Sequence, residues 1–122
     1  MANKVIKVQE SQVISCSQSE CNGTLPKGWI TISGESMYPT LSHGDKVVVS
    51  PRISIDAVLF GEVYLIIMSS GLSAVRRIVR SGNKRNIRLV PDNTEQKYGD
   101  YQDIEKSKVI AIHKVMGLAR AL

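Results

Sequence analysis

The 122-residue sequence is poor in aromatic residues and in cysteine, and each shortage restricts the class of fold. Aromatic residues make up 5% of the chain, so a hydrophobic core has to be built mainly from valine, isoleucine and leucine. Valine and isoleucine are β-branched and favour strands over helices. The two cysteines, Cys16 and Cys21, lie in a polar stretch without a histidine nearby. We therefore expect free thiols, and we predict no disulfide framework, no metal site and no cofactor.

Long apolar runs are also missing. The longest run, Val63–Met68, has the length of a strand, whereas a membrane-spanning helix needs about 18–20 apolar residues. The opening residues, Met-Ala-Asn-Lys, lack the apolar middle region of a signal peptide. These features predict a cytoplasmic protein without a membrane partner. A hydrophobic content of 43% with 22% charged residues excludes wholesale disorder, and the length suits one domain.

The net charge of +5 raises the question of nucleic-acid binding. The positive side chains concentrate in two predicted strands and the turn between them, without a recognition helix or an aromatic-studded basic strand. An outward basic face of this kind is common for solubility alone, so direct DNA binding is the lesser alternative. The residues concerned are Arg76, Arg77, Arg80, Lys84, Arg85 and Arg88.

Short apolar runs separated by turn signals predict a mostly-β fold. The expected strands are residues 29–32, 46–50, 62–68, 72–80, 86–90 and 107–116. There is no long amphipathic helix and no internal repeat, so we expect a small antiparallel β-sandwich or partly open barrel. We place an N-terminal arm or short strands plus a polar loop at 1–27, the β domain at 28–117 and a tail at 118–122. Residues 94–103 are expected to form a polar loop.

Ser36 follows the first predicted strand at the start of a short turn. A serine in that place has an exposed hydroxyl and neighbouring backbone N–H groups that can stabilise an oxyanion. Serines also cap turns without any chemistry, so Gly-x-Ser alone carries little information.

A longer pattern around Ser36 is more specific. Residues 34–41 read Gly-Glu-Ser-Met-Tyr-Pro-Thr-Leu, and a Gly-Asp pair with a valine-rich strand follows three residues later. This run resembles the nucleophile region of the LexA, UmuD and lambda-type repressor peptidases, and it is similar to the serine box of bacterial signal peptidases. Four later segments resemble strands of the same repressor-peptidase family in the same order, so that the resemblance covers roughly 28–117. They are residues 61–66, 74–78, 89–93 and 109–117.

The resemblance implies a fold of the LexA C-terminal domain type, with Ser36 as the nucleophile. It implies that the amides of Ser36 and Met37 are oxyanion donors and that Gly34 allows close approach of substrate. In the family a buried neutral lysine takes the serine proton, because burial can lower its pKa from about 10.4 toward neutrality. The matching position here is Arg76, and a register shift by one gives Arg77. A guanidinium stays protonated, so we predict that autocleavage is impaired or absent.

Neither a substitute base nor a cleavage site is evident. We expect Lys46, Lys84, His43 and His113 to be solvated, structural or directed elsewhere. Self-cleaving relatives carry an Ala-Gly or Cys-Gly bond upstream of the serine, and the 35 residues before Ser36 contain neither pair. They contain no helix-turn-helix either, so a stand-alone domain and a piece of a longer gene product both remain open.

Three functions follow from this reading. The first is a regulatory and self-association domain, prophage- or SOS-related and bacterial. It would form a homodimer through residues 107–116 and 118–122, with a peptide segment of itself or of a partner as ligand and DNA contacted only indirectly. The second is an active serine endopeptidase acting through Ser36. The third is a UmuD-like accessory module in the SOS response or DNA repair.

Overall fold

The computed structural model describes residues 28–120, in which seven strands form one antiparallel sheet. The spatial order is β1-β2-β7-β3-β4-β5-β6, so β1 and β6 lie at the two edges and the sheet is not closed into a barrel. Three short 3-10 turns lie at Ile55–Ala57, Gln96–Tyr98 and Lys106–Lys108. The strands are β1 (Trp29–Thr31), β2 (Lys46–Val49), β3 (Val63–Met68), β4 (Ser73–Arg80), β5 (Asn86–Val90), β6 (Gln102–Glu105) and β7 (Val109–Ala119).

The mostly-β prediction is confirmed, since residues 28–120 contain strands and 3-10 turns and no α-helix. Five of the six expected strands lie within two residues of their predicted ends, and the expected strand 86–90 coincides with β5. The last expected strand, 107–116, starts at Val109 and continues to Ala119, which brings the buried Leu118 into the sheet. The arm, the short strands and the loop expected at 1–27, with both cysteines, lie outside the described residues.

The expectation that residues 94–103 form only a loop is wrong at its end. Strand β6 starts at Gln102 and pairs with β5, with Ile87 opposite Ile104. Only Ile104 of this strand packs on the core, and the other three residues are exposed. A short polar edge strand has no apolar alternation, so its sequence carries no strand signal.

The apolar side chains form two cores on opposite faces of the sheet. Strand β3 contributes to both, because alternate residues of a strand project to opposite faces. Leu65 and Ile67 belong to the first core, and Tyr64 and Ile66 to the second. The remaining buried members of the first core are Ile30, Ile32, Met37, Leu41, Val47, Val49, Ala111 and Leu118. Those of the second are Ile78, Ile87, Leu89 and Ile112.

The long strand β7 joins the two halves of the sheet. Residues 109–114 pair with β3, and residues 115–119 pair with β2. The register shifts where β2 passes from Val48, opposite Gly117, to Val49, opposite Val115. The half formed by β1 and β2 is thereby fixed to the rest of the sheet, and it carries the connection that contains Ser36.

Candidate serine site

Residues 32–45, which we call the serine loop, connect β1 to β2. Two backbone hydrogen bonds close its base: Ile32 N–H donates to the Asp45 carbonyl at 2.8 Å, and Gly44 N–H donates to the Ile32 carbonyl at 2.9 Å. Met37 and Leu41 are 2% and 0% exposed and pack in the first core. The loop is therefore anchored by side chains at its centre and by backbone bonds at its ends.

The end of β5 holds the serine loop from the other side. Asn93, which is 6% exposed, donates its backbone N–H to the Ser36 carbonyl at 3.0 Å. Its side-chain Nδ2 donates to the Glu35 carbonyl at 2.8 Å. Its Oδ1 accepts from the Glu95 N–H at 2.9 Å. One buried residue thus fixes two consecutive carbonyls beside the candidate nucleophile, the first through its side chain and the second through its backbone N–H.

Ser36 itself is half-buried at the surface of this loop. Within residues 28–120, no group forms a hydrogen bond with its Oγ. The N–H groups of Ser36 and Met37 likewise donate to no acceptor in that part of the chain. A free hydroxyl beside two free amides is the arrangement that nucleophilic attack and oxyanion stabilisation both use.

Gly34 has a backbone conformation that requires glycine, with φ at +85°. A Cβ built there would meet no heavy atom within 4 Å, so the requirement comes from the dihedral angle and not from neighbouring protein atoms. That this position lets substrate approach stays a prediction.

His43 is occupied by the loop itself. Gly34 donates its N–H to His43 Nδ1 at 2.9 Å. Nδ1 must then be the unprotonated nitrogen, and the ring proton lies on Nε2. A lone pair engaged in this way cannot take the proton of Ser36.

The two arginines at the lysine position project to opposite faces of β4. Arg76 lies opposite Tyr64 and Arg77 opposite Val63, and side chains of directly paired residues share a face. Val63 packs against the first core, which contains Met37, whereas Tyr64 belongs to the second core. The register therefore directs Arg77, not Arg76, to the face on which the serine loop packs.

Arg76 is half-buried and donates from Nη1 to the Val75 carbonyl at 2.8 Å. Burial lowers the pKa of Arg76 below the ordinary arginine value. A guanidinium nevertheless remains a cation at neutral pH, because its ordinary pKa lies far above neutrality. No carboxylate in residues 28–120 pairs with it.

Arg77 is joined to the serine loop through Asp92. Its Nε and Nη2 donate to the two carboxylate oxygens of Asp92 at 2.9 and 2.6 Å, and its Nη1 donates to the Gly61 carbonyl at 2.6 Å. Thr40 donates its hydroxyl to Asp92 Oδ2 at 2.6 Å. Burial alone would raise the pKa of Asp92, but the hydrogen bonds from Arg77 and Thr40 outweigh it and lower the pKa. All three nitrogens of Arg77 are therefore engaged.

A second ion pair closes the loop near β2. Asp45 is 4% exposed and accepts from Arg120 Nη2 at 2.7 Å and from the Ser42 N–H at 2.8 Å. Arg120 Nη2 also donates to the Thr40 carbonyl at 3.4 Å. The hydrogen bond from Arg120 holds the pKa of Asp45 below its usual range. Asp45 thus fixes the turn, and nothing in the sequence pattern points to Arg120 as its partner.

The other basic side chains do not contact Ser36 in the described part of the chain. His113 is fully buried in β7, where Nδ1 lies 2.9 Å from the Ser50 carbonyl and Nε2 has no partner among residues 28–120. Lys46 Nζ donates to the Gly44 carbonyl at 3.4 Å, and Lys84 is exposed in the turn after β4. None of them supplies Ser36 with a hydrogen-bonded base.

The family follows from a comparison with known proteins. Residues 4–116 match the family described as Peptidase S24-like. The match covers almost the whole chain, so the chain belongs to this family of serine peptidase-like domains, which is that of LexA, UmuD and the phage repressors. The resemblance to the repressor-peptidase family that the sequence motifs indicated is confirmed. No curated protein matches the chain.

No helix in residues 28–120 is both long and apolar enough to cross a membrane.

Proposed function

We propose that this chain is a regulatory and self-association domain of the repressor-peptidase lineage in which Ser36 is not activated. The observation that carries the proposal is the pair of arginines on β4 at the position where the family has its lysine base. Ser/Lys catalysis needs an amine that can be neutral near pH 7, and a guanidinium does not meet that requirement.

The surroundings of Ser36 support the proposal that only the base is lost and that the rest of the site is retained. The loop is held at both ends and in the middle, and the hydroxyl and two amides are free of partners in the described residues. What is missing is a neutral nitrogen on β4, since Arg76 and Arg77 are both cations and Arg77 is also engaged with Asp92 and Gly61. A conserved scaffold without its reaction is compatible with regulation through binding.

Exposed apolar side chains on β7 support self-association. Ile110 and Met116 are each 49% exposed. Ile110 lies on the half of β7 that pairs with β3 and Met116 on the half that pairs with β2, so a second copy would contact these side chains along the length of the strand. We propose a homodimer that uses this surface.

Covalent labelling with a fluorophosphonate, read by intact mass, tests the proposal. The reagent forms a bond from Ser36 Oγ to phosphorus with loss of fluoride, and the serine proton must pass to a base. We expect no labelling of the wild type, labelling of Arg76→Lys or Arg77→Lys, and none when Ser36→Ala is added. Labelling of the wild type that Ser36→Ala abolishes would contradict the proposal.

The same experiment bears on a second candidate, an active serine endopeptidase. The free hydroxyl and the free amides of Ser36 and Met37 favour it. It requires a base other than the groups described above, so labelling of the wild type would make it the leading function.

A further inference from the structure

We propose that Asn93 is a positioning residue that aims the backbone N–H groups of Ser36 and Met37 at one shared anionic oxygen. The inference rests on the proposed function in one respect, namely that Ser36 occupies the nucleophile position. The inference concerns the orientation of two peptide planes, which does not depend on whether a base lies near Ser36.

Asn93 fixes two consecutive carbonyls. Its Nδ2 holds the carbonyl of Glu35 at 2.8 Å, and its backbone N–H holds the carbonyl of Ser36 at 3.0 Å. The Glu35 carbonyl also accepts from the Tyr38 N–H at 3.1 Å. The peptide units on both sides of the Ser36 Cα are therefore set in orientation.

The orientation of these carbonyls decides that of the neighbouring amides. In a planar trans peptide the C=O and the following N–H point in opposite directions. The Glu35 carbonyl shares its plane with the Ser36 N–H, and the Ser36 carbonyl shares its plane with the Met37 N–H. Since both carbonyls point to Asn93, both N–H groups point away from it.

These two N–H groups have no acceptor in residues 28–120. Successive N–H groups of a turn form a concave site for an anionic oxygen. In acyl transfer that oxygen belongs to the tetrahedral intermediate.

Asn93 is itself held in one orientation. Its Oδ1 accepts from the Glu95 N–H, a group that can only donate, and its Nδ2 faces a carbonyl that can only accept. This pair of contacts excludes the flipped amide. The preceding residue, Asp92, is bound to Arg77 and Thr40, which steadies the segment further.

The test compares Asn93→Asp with Asn83→Asp by NMR. Asp at 93 keeps the acceptor for the Glu95 N–H but loses the donor to the Glu35 carbonyl. Asn83 makes the same local turn contact, with Oδ1 accepting from the Arg85 N–H at 2.8 Å, in the hairpin between β4 and β5. The probe is the one-bond ¹⁵N–¹H residual dipolar coupling of Ser36 and Met37 in a weakly aligned sample.

We expect Asn93→Asp to change the coupling of Ser36, whose peptide plane loses its side-chain donor, more than that of Met37, whose plane keeps the backbone N–H of residue 93. The couplings of the sheet should stay as in the wild type, and Asn83→Asp should leave both loop couplings unchanged. Unchanged couplings in folded Asn93→Asp would overturn the proposal. If that variant does not fold, Asn93→Ser serves instead, because a serine hydroxyl can accept from the Glu95 N–H but is too short to reach the Glu35 carbonyl.

A chemical readout separates this inference from the proposed function. In whichever lysine variant of β4 is labelled by fluorophosphonate, adding Asn93→Ser should slow labelling about 10-fold or more, because misplaced oxyanion donors cost at least that much. Undiminished labelling would overturn the oxyanion role. If no lysine variant is labelled while the couplings still move, the missing-base proposal fails and the positioning role of Asn93 stands.

Discussion

At the residue scale, the proposed loss of the base depends on the difference between lysine and arginine. Both are long cations, but only the lysine amine can lose its proton within the range that burial provides. Burial lowers the pKa of Arg76, which is the direction that would make a lysine in its place a better base. The same environment that leaves the arginine charged would thus favour a neutral amine.

The Asp92 carboxylate gives a prediction about stability. Asp92→Asn removes the ion pair with Arg77 and weakens the link to Thr40, so we expect a loss of about 1–3 kcal/mol in the free energy of unfolding at pH 7. Urea unfolding measures it. The control is Asp103→Asn, whose side chain is 31% exposed against 12% for Asp92, and for which we expect a smaller loss. Equal losses in the two variants would contradict the structural role of Asp92.

The same carboxylate predicts a pH dependence. The pKa of Asp92 is lowered in the folded protein, so the unfolded chain binds more protons as the solution is acidified. The stabilisation is complete above the unfolded pKa of about 3.9 and is lost as the pH falls through the folded value. We expect the stability gap between the wild type and Asp92→Asn to narrow in urea titrations below about pH 4. A gap that widens in acid would contradict this.

At the scale of elements, the serine loop is held by the ends of two distant strands. Asn93 follows β5, and Arg120 follows β7. These contacts span 58 and 75 residues of sequence, and both reach backbone or carboxylate groups of one loop. The loop therefore depends on the assembled sheet and not on its own sequence.

The Arg120 contact predicts a local change in dynamics. Arg120→Ala leaves the nearly buried Asp45 carboxylate without its cation, so the turn at Ser42 should open more often. We expect faster hydrogen exchange of the Ser42 N–H, and unchanged exchange in the β5–β6 pair. The control is Lys114→Ala in β7, which removes a surface ion pair between Lys114 Nζ and Glu62 Oε1 at 3.7 Å. Exchange at Ser42 as slow as in the wild type would count against this contact.

Much of the fold could be predicted from the sequence because its strands carry regular signals. Val47, Val48 and Val49 are fully buried, as a β-branched run after a Gly-Asp turn suggests. Strand β6 could not be predicted, since an exposed polar edge strand does not alternate between apolar and polar residues.

Part of the candidate site could likewise be predicted from the sequence, and part could not. The motif indicated Ser36, Gly34 and Met37, because local spacing carries that information. The roles of Asn93, Asp92 and Arg120 depend on pairing between distant strands, which one sequence does not specify. The face that each arginine of β4 occupies also emerges only from the register with β3.

For the whole molecule, part of the positive charge is neutralised within the fold. Arg77 and Arg88 pair with Asp92 and Asp103, and Arg88 also lies 3.8 Å from the centroid of the Tyr101 ring. Two of the six clustered cations are therefore paired with a carboxylate in residues 28–120. This arrangement offers little support for direct DNA binding, which remains the lesser alternative.

The proposed dimer can be tested on the whole molecule in solution. Met116 lies at a β-bulge of β7, between Val115 and Gly117, which both pair with β2. Its side chain is exposed. We expect concentration-dependent dimerisation in sedimentation velocity and a shift toward monomer in Met116→Lys. Leu72→Lys, at an apolar side chain that is 67% exposed beside β4, should leave the dimer intact. A strictly monomeric wild type at high micromolar concentration would contradict the self-association proposal.

The most direct test of the central claim, that the scaffold is intact and only its base is missing, is the pH dependence of fluorophosphonate labelling in Arg76→Lys and Arg77→Lys beside the wild type. We predict that one lysine variant is labelled at a rate that rises with pH and then levels off as the amine becomes neutral, while the wild type stays unlabelled across the same range. A wild type labelled as fast as the lysine variants, or no labelling in any of them, would contradict the account.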